Sequence, residues 1–180
     1  NQCLKPTNLA ATNITNGSVD ISFNGTSNSY IVYYKSLLDT GYTSLVTTDT
    51  LITLTSLIAG STYSVYVRGI CDSINSSIFS DTLNFSTSCI DTITNFPYTE
   101  GFENGISCWS QQYILGQINW LSSEGDEYYT PHSGNRLAYI YCWDYSKKTK
   151  LISPTFDFTY LASPTLSFYH RQVGDDEDWA

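Results

Sequence analysis

The feature that most limits the folds open to this chain is a period of two. In Ser18-Val19-Asp20-Ile21-Ser22-Phe23 every second residue is apolar. The same alternation recurs at Tyr30, Val32 and Tyr34, at Ile52 and Leu54, at Tyr63, Val65 and Val67, and at Leu83 and Phe85. Successive side chains of a strand point to opposite faces, so this spacing gathers the apolar groups on one face of a sheet. No segment sustains a helical spacing. Turn-forming clusters separate the runs: Asn16-Gly17, Asn24-Gly25-Thr26, Asp39-Thr40-Gly41, Ala59-Gly60-Ser61 and Asp72-Ser73-Ile74-Asn75. Short strands punctuated in this way predict an all-β sandwich. Of the 180 residues 41% are hydrophobic, enough for a core in each of two units. Charged residues make up 14%, against about 25% in an ordinary soluble domain, and Ser, Thr and Asn fill the polar positions instead.

Charge and cysteine usage narrow the function classes. The net charge is −9, with eight Lys and Arg in all. The one basic run, Lys147-Lys148 with Lys150, reads as a turn. Binding to nucleic acid needs a patch of cations that displaces counterions from phosphates, so nucleic acid is set aside as a partner. No apolar run approaches the roughly 20 residues of a membrane-spanning helix. Five cysteines lie far apart without a Cys-x-x-Cys pair, which points to two disulfides and one leftover in an oxidising, extracellular or cell-surface setting rather than to zinc. The absence of methionine leads to the expectation of a processed or excised piece. Acceptor patterns for Asn-linked glycans at Asn13, Asn16, Asn24, Asn75 and Asn84 carry little weight in so Ser/Thr/Asn-rich a chain.

Catalytic signals are thin. There are two histidines, His132 and His170, and neither a Gly-x-Ser-x-Gly elbow nor a His-Glu-x-x-His helix. Glu100 and Glu103 would suit a glycosidase pair. Three apart in a predicted strand, however, they would face opposite ways. No catalytic residue is assigned.

Two stretches carry family resemblances. Leu4-Lys5-Pro6-Thr7-Asn8-Leu9, then Val19–Phe23 and Tyr30–Tyr34, resemble the first strands of a fibronectin type III domain. Leu57-Ile58-Ala59-Gly60-Ser61-Thr62-Tyr63-Ser64-Val65-Tyr66-Val67-Arg68 resembles its E–F corner and F strand, in which a Tyr hydroxyl returns to upstream backbone. Phe23 stands where that family usually has Trp. The resemblance covers residues 1–88. After Cys89 the pattern changes to Phe102-Glu103, Cys108-Trp109-Ser110-Gln111, His132-Ser133-Gly134 and Leu151-Ile152-Ser153-Pro154. In that order these resemble a MAM-type jelly roll, the group that includes cleaved-adhesin modules of bacterial surface proteases. Ser153-Pro154-Thr155-Phe156-Asp157-Phe158 is echoed by Ser163-Pro164-Thr165-Leu166-Ser167-Phe168, which predicts two proline-started strands. The expected fold is therefore an Ig-like, fibronectin type III β-sandwich over 1–88, followed by an incomplete jelly-roll β-sandwich over 89–180.

The resemblances imply site residues as well. In a fibronectin-type sandwich Cys3 and Cys71 fall at one pole, where a disulfide would join them, and Cys89 with Cys108 resembles the first MAM disulfide. Cys142 is left over, either as a buried inert thiol or as the partner of a cysteine beyond residue 180. Glu103 sits where related jelly rolls place a calcium ligand, and Asp176 and Asp178 of the loop Asp175–Asp178 are the other candidate ligands. Against calcium stands a plain solvated acidic turn. Tyr33, Tyr66, Tyr128, Tyr129, Trp143 and Tyr145 are candidates for stacking on sugars or partner side chains, or else they pack against cross-strand neighbours. The function implied is non-catalytic adhesion or binding to an extracellular protein or carbohydrate. The rivals are an appendage of a secreted peptidase or glycoside hydrolase, and a purely structural stalk.

Overall fold

The computed structural model describes residues 3–141 and 146–172, and every regular element among them is a strand. The chain is all-β. One antiparallel sheet has the order β1-β2-β5, from β1 (Thr7–Thr12), β2 (Val19–Asn24) and β5 (Leu51–Leu54). The facing sheet runs β4 (Thr43–Thr47), β3 (Ser29–Ser36), β6 (Thr62–Ile70) and β7 (Ser76–Phe79). A fifth strand, β8 (Leu83–Ser86), pairs with the N-terminal half of β6, while β7 pairs with its C-terminal half. The strand order is that of the Ig-like sandwich expected from the sequence.

The period of two is what joins the sheets. Val19, Ile21 and Phe23 of β2 and Leu54 of β5 face Tyr30 and Val32 of β3, Tyr63, Val65 and Val67 of β6, and Phe85 of β8. All are buried, and Val19, Ile21, Val32, Val65 and Val67 have no exposed surface at all. Phe23 lies edge-on to Tyr30 at 4.8 Å between centroids, so this pair occupies the volume a Trp would fill. The Tyr30 ring also takes the space beside Gly25, where a Cβ would come within 2.6 Å of it. The Tyr30 hydroxyl accepts the Ser27 N–H at 3.1 Å. At the corner between β5 and β6 the Ile58 N–H donates to the Tyr63 hydroxyl at 2.9 Å. The Tyr63 ring stacks on Phe85 at 5.6 Å. A buried aromatic is thus held by a polar bond at its tip.

One disulfide pins the ends of this unit, and a second packs against it. Cys3–Cys71 links the segment before β1 to the end of β6, across 68 residues of sequence. Closing a loop of that length removes about 4 kcal/mol of chain entropy from the unfolded state, on the loop-entropy account. Cys89–Cys108 spans 19 residues and seats against the β5–β6 corner. Gly60 has φ +65 there, and a Cβ on it would collide with the Cys108 Sγ. The Ser107 hydroxyl donates to the Gly60 carbonyl at 2.7 Å, and the Gly60 N–H donates to the Ser88 carbonyl at 3.0 Å.

Beyond this junction the chain forms three separate strand pairs. β9 (Thr92–Ile93) runs parallel to β14 (Thr155–Phe156). β10 (Ser110–Leu115) is antiparallel to β13 (Lys148–Ile152), and β11 (Trp120–Glu124) to β12 (Arg136–Ile140). Phe96, Tyr98, Phe156 and Phe158 cluster with centroids 5.4–6.3 Å apart. Among the described residues past 88, Ile93 is nevertheless the one hydrophobic side chain that is buried. All six residues of β10 are exposed, as are Tyr160 and Leu166 at 95% and 86%.

Several sequence expectations need correction. The first strand begins at Thr7 rather than Leu4, with Asn8 at φ 55 and an irregularity in its pairing to β2. Lys148 and Lys150 stand on β13 and not in a turn, their side chains alternating outward with the half-buried Thr149 and Leu151. Residues 99–109 form irregular chain and turns instead of a strand, with Phe102 at φ 59 and Gly105 at φ 81. Of the echoed pair only Thr155–Phe156 is a strand, because β9 supplies its ladder. The copy at Ser163–Phe168 pairs with no described strand and its Leu166 and Phe168 are exposed.

The uneven core yields a prediction. Ile21→Ala should lower the unfolding free energy in a urea titration by about 2–5 kcal/mol, the usual range for a fully buried large side chain. Leu121→Ala on β11, where the side chain is 45% exposed, should stay within about 0.5 kcal/mol, as surface changes do.

Candidate binding surface

Every inward residue of β3 and β6 has an outward neighbour, and these build an aromatic surface. Tyr33 of β3 lies directly across from Tyr66 of β6, and the two rings stack at 5.1 Å with 21° between planes. Phe79 of β7 sits across from Arg68 of β6 and meets Tyr66 edge-on at 5.0 Å and Tyr33 at 5.8 Å. Tyr42, just before β4, closes the cluster against Tyr66 at 4.9 Å. Cross-strand aromatic pairs of this kind each contribute a few tenths to about 1 kcal/mol. That makes the surface rigid before anything binds. Two cations cover its flanks: Lys35 Nζ lies 5.2 Å from the Tyr42 centroid and the Arg68 guanidinium 5.3 Å from Phe79. Arg68 is aimed by its Nε, which donates to the Ser77 carbonyl at 2.9 Å.

The cluster is partly wet and partly dry. Tyr42 and Phe79 are 43% and 47% exposed, and Val46 on the same sheet is 70% exposed. Tyr66, at the centre, is hemmed in. Burial first, and then the neighbouring Tyr42 and Tyr33, push its hydroxyl above the usual tyrosine value. A contiguous apolar patch with a structured centre and an exposed rim is the form that interaction surfaces take.

Of the aromatics singled out from sequence, Tyr33 and Tyr66 are brought together here. Tyr128 is exposed and Tyr129 stacks on Tyr139 at 6.2 Å, away from this face. Trp143 and Tyr145 lie outside the described residues. Sequence reasoning missed Tyr42, Phe79, Lys35 and Arg68. Tyr42 lies in a turn exit and Phe79 on a strand whose pairing with β6 shifts between Arg68 and Ile70, so neither belongs to a clean period-two run. The usable signal was parity: outward positions of the strands flanking Tyr33.

Of the acidic candidates Glu103 is described, and it and Glu100 both accept backbone amides. Both oxygens of Glu103 accept the Asn135 N–H, at 3.0 and 3.1 Å, and Oε1 also accepts the Arg136 N–H at 3.0 Å. The carboxylate thus clamps the His132–Asn135 turn onto the head of β12, and it fills the space that a Cβ on Gly134 would need. Glu100 accepts the Phe102 N–H at 2.7 Å, the Tyr98 hydroxyl at 2.9 Å and the Trp109 Nε1–H at 3.3 Å. Burial, followed by the bond to Glu100 and its charge, raises the Tyr98 hydroxyl to about 12. Glu100 and Glu103 are each held by their own set of donors.

Calcium takes six to eight oxygens. Among the described residues no three His, Cys, Asp or Glu gather as a metal set. Glu103 on its own does not make that cage. Asp176 and Asp178, like Cys142, lie outside the described residues. His132 stacks on Tyr169 and His170 lies 6.0 Å from Phe168. A cleft of about 240 Å³ between Tyr34, Lys35, Asp39, Leu57 and Tyr63 is smaller than the roughly 300–1,000 Å³ of pockets that enclose small molecules. No helix among the described residues is long and apolar enough to cross a membrane.

Fold and surface together define an all-β protein with an Ig-like sandwich that displays an aromatic face. Solved structures are similar to it over about half of its length. They include a computationally redesigned β-sandwich (22% identity, 48% of this chain and 96% of that one, TM-score 0.43). A fibronectin domain of human collagen XX is similar at 17% identity, over 47% of this chain and 91% of that one, TM-score 0.43. The fifth fibronectin domain of Drosophila Lar is similar at 16% identity, over 47% and 96%, TM-score 0.42. No protein-family model matches the chain, and no curated protein matches it in sequence.

The clamp geometry of Glu103 gives a direct test. Glu103→Ala should lower stability by about 1–3 kcal/mol, the cost of losing hydrogen bonds to a charged acceptor, and by the same amount in EDTA as in millimolar calcium. A loss seen only with calcium present would make Glu103 a metal ligand instead.

Proposed function

We propose that this chain is a non-catalytic binding segment of a secreted or cell-surface multidomain protein. Residues 1–88 form its fibronectin-type unit, and 89–180 the N-terminal part of a MAM-like jelly roll. The recognition surface is the outer face of the five-stranded sheet, and the ligand is an extracellular protein or carbohydrate. The observation that carries this reading is the cluster of Tyr33, Tyr42, Tyr66 and Phe79, held rigid by mutual ring contacts yet exposed at Tyr42 and Phe79. The cluster lies on the side of the sheet opposite the sandwich core. Two disulfides fit an oxidising, extracellular setting.

A stalk role draws on a different observation, the seating of Cys89–Cys108 against Gly60, which suits a stiff spacer. The two readings part in one experiment. The chain and its Tyr42→Ser/Phe79→Ser variant are screened against immobilised extracellular-matrix proteins and a glycan array. Binding by the parent chain, weakened at least tenfold in the variant at unchanged melting temperature, supports the binding face. Equal binding by both moves the site off this face, and binding by neither leaves the stalk.

A further inference from the structure

The charges on this face narrow the class of partner. Over the whole chain acids outnumber bases 17 to 8, yet the strands β3, β4, β6, β7 and β8 contain no Asp or Glu, and their charged residues are Lys35 and Arg68. The carboxylates that flank these strands, Asp39, Asp49, Asp72 and Asp81, stand in the connections between strands, and three of them are engaged locally. Asp39 accepts the Ser36 N–H, and Asp72 accepts the amides of Ile74 and Asn75. Asp72 is held below the usual carboxylate range, first by the Asn75 side chain and then by those amides. Asp81 pairs with Lys5 at 3.0 Å. An acidic protein therefore carries one apolar face whose only charges are positive.

Those charges have spare capacity. Arg68 spends Nε on Ser77, which leaves both terminal nitrogens without a partner among the described residues and disposed for a bidentate carboxylate. Lys35 spends one of its three donors, on the Asp39 carbonyl at 3.1 Å. The rings speak to the kind of ligand as well. Sugar stacking needs an open aromatic face. Here at least one face of every ring is already covered: Tyr33 and Tyr66 by each other, Tyr42 by Lys35 and Phe79 by Arg68. What the cluster leaves exposed is part of Tyr42 and Phe79 together with the aliphatic Val46, apolar area suited to apolar side chains.

Building on the binding face proposed above, we infer that its partner is a polypeptide that sets Asp or Glu residues beside aliphatic or aromatic ones. Its carboxylates meet Arg68 and Lys35, and its apolar groups cover Phe79, Tyr42 and Val46. Such charge complementarity sets specificity and association rate more than affinity.

The test is selection of a random 12-residue peptide library on the immobilised chain, with heparin and alginate as anionic polysaccharide probes in parallel. Expected are peptides enriched in Asp or Glu next to Leu, Ile, Phe or Tyr. Their affinity should fall at least tenfold in Lys35→Glu and in Arg68→Glu, and at least tenfold in the parent chain between 50 and 500 mM salt. Lys35→Gln guards against a folding defect and should show a smaller loss at unchanged melting temperature. No enrichment, enriched peptides without acids, affinities that the charge variants leave unchanged, or polysaccharide binding stronger than peptide binding would each overturn the inference. If Tyr42→Ser/Phe79→Ser abolishes binding while the charge variants do not, the face binds but its partner is not acidic. Binding that survives both sets of substitutions removes the face itself.

Discussion

The contact between β2 and the β3–β6 pair is what the rest of the molecule depends on. Val19, Ile21 and Phe23 press across the sandwich onto Tyr30, Val32, Val65 and Val67, and burying each such side chain stabilises the fold by about 1.5–3 kcal/mol. With that seam closed, the remaining features of the unit follow as consequences of parity. Tyr63 can reach back to the Ile58 amide because its ring is already buried on Phe85. Cys3 and Cys71 meet because the seam brings the start of the chain alongside the end of β6.

The same parity creates the aromatic face. A strand that places Val32 inward must place Tyr33 outward, and one that buries Val65 and Val67 must present Tyr66 and Arg68. The aromatic face is therefore built on strands whose other face is buried in the core, and side chains already held in place lose little order on binding. Only Tyr42 and Phe79 come from the periphery. Among the described residues, the strand pairs beyond Cys89 have no comparable seam. Their apolar side chains are shared among two-stranded ribbons, and such ribbons are marginal in water by themselves.

Much of the sandwich was legible in the sequence because one face of each strand is fully buried, and burial enforces alternation. Val19–Phe23, Tyr30–Tyr34 and Tyr63–Val67 are strands where the pattern placed them. The pattern failed where burial did. Around Glu100–Gly105 the chain is ordered by carboxylate-to-amide bonds and left-handed residues, which leave no hydrophobic period. At Ser163–Phe168 a strand-like composition finds no described ladder partner. The binding surface was half visible: Tyr33 and Tyr66 stood out as tyrosines, but their joining into one cluster depends on register, and register is written across strands rather than along them.

Native-state hydrogen exchange on the whole chain tests the central claim most directly. If the β2/β3/β6 seam carries the stability, the amides of Val32, Val65 and Val67 exchange only through global unfolding, and those of β10–β13 exchange about a hundredfold faster or more through local opening. Uniform protection across both halves, or greater protection in β10–β13 than in β3 and β6, would contradict it.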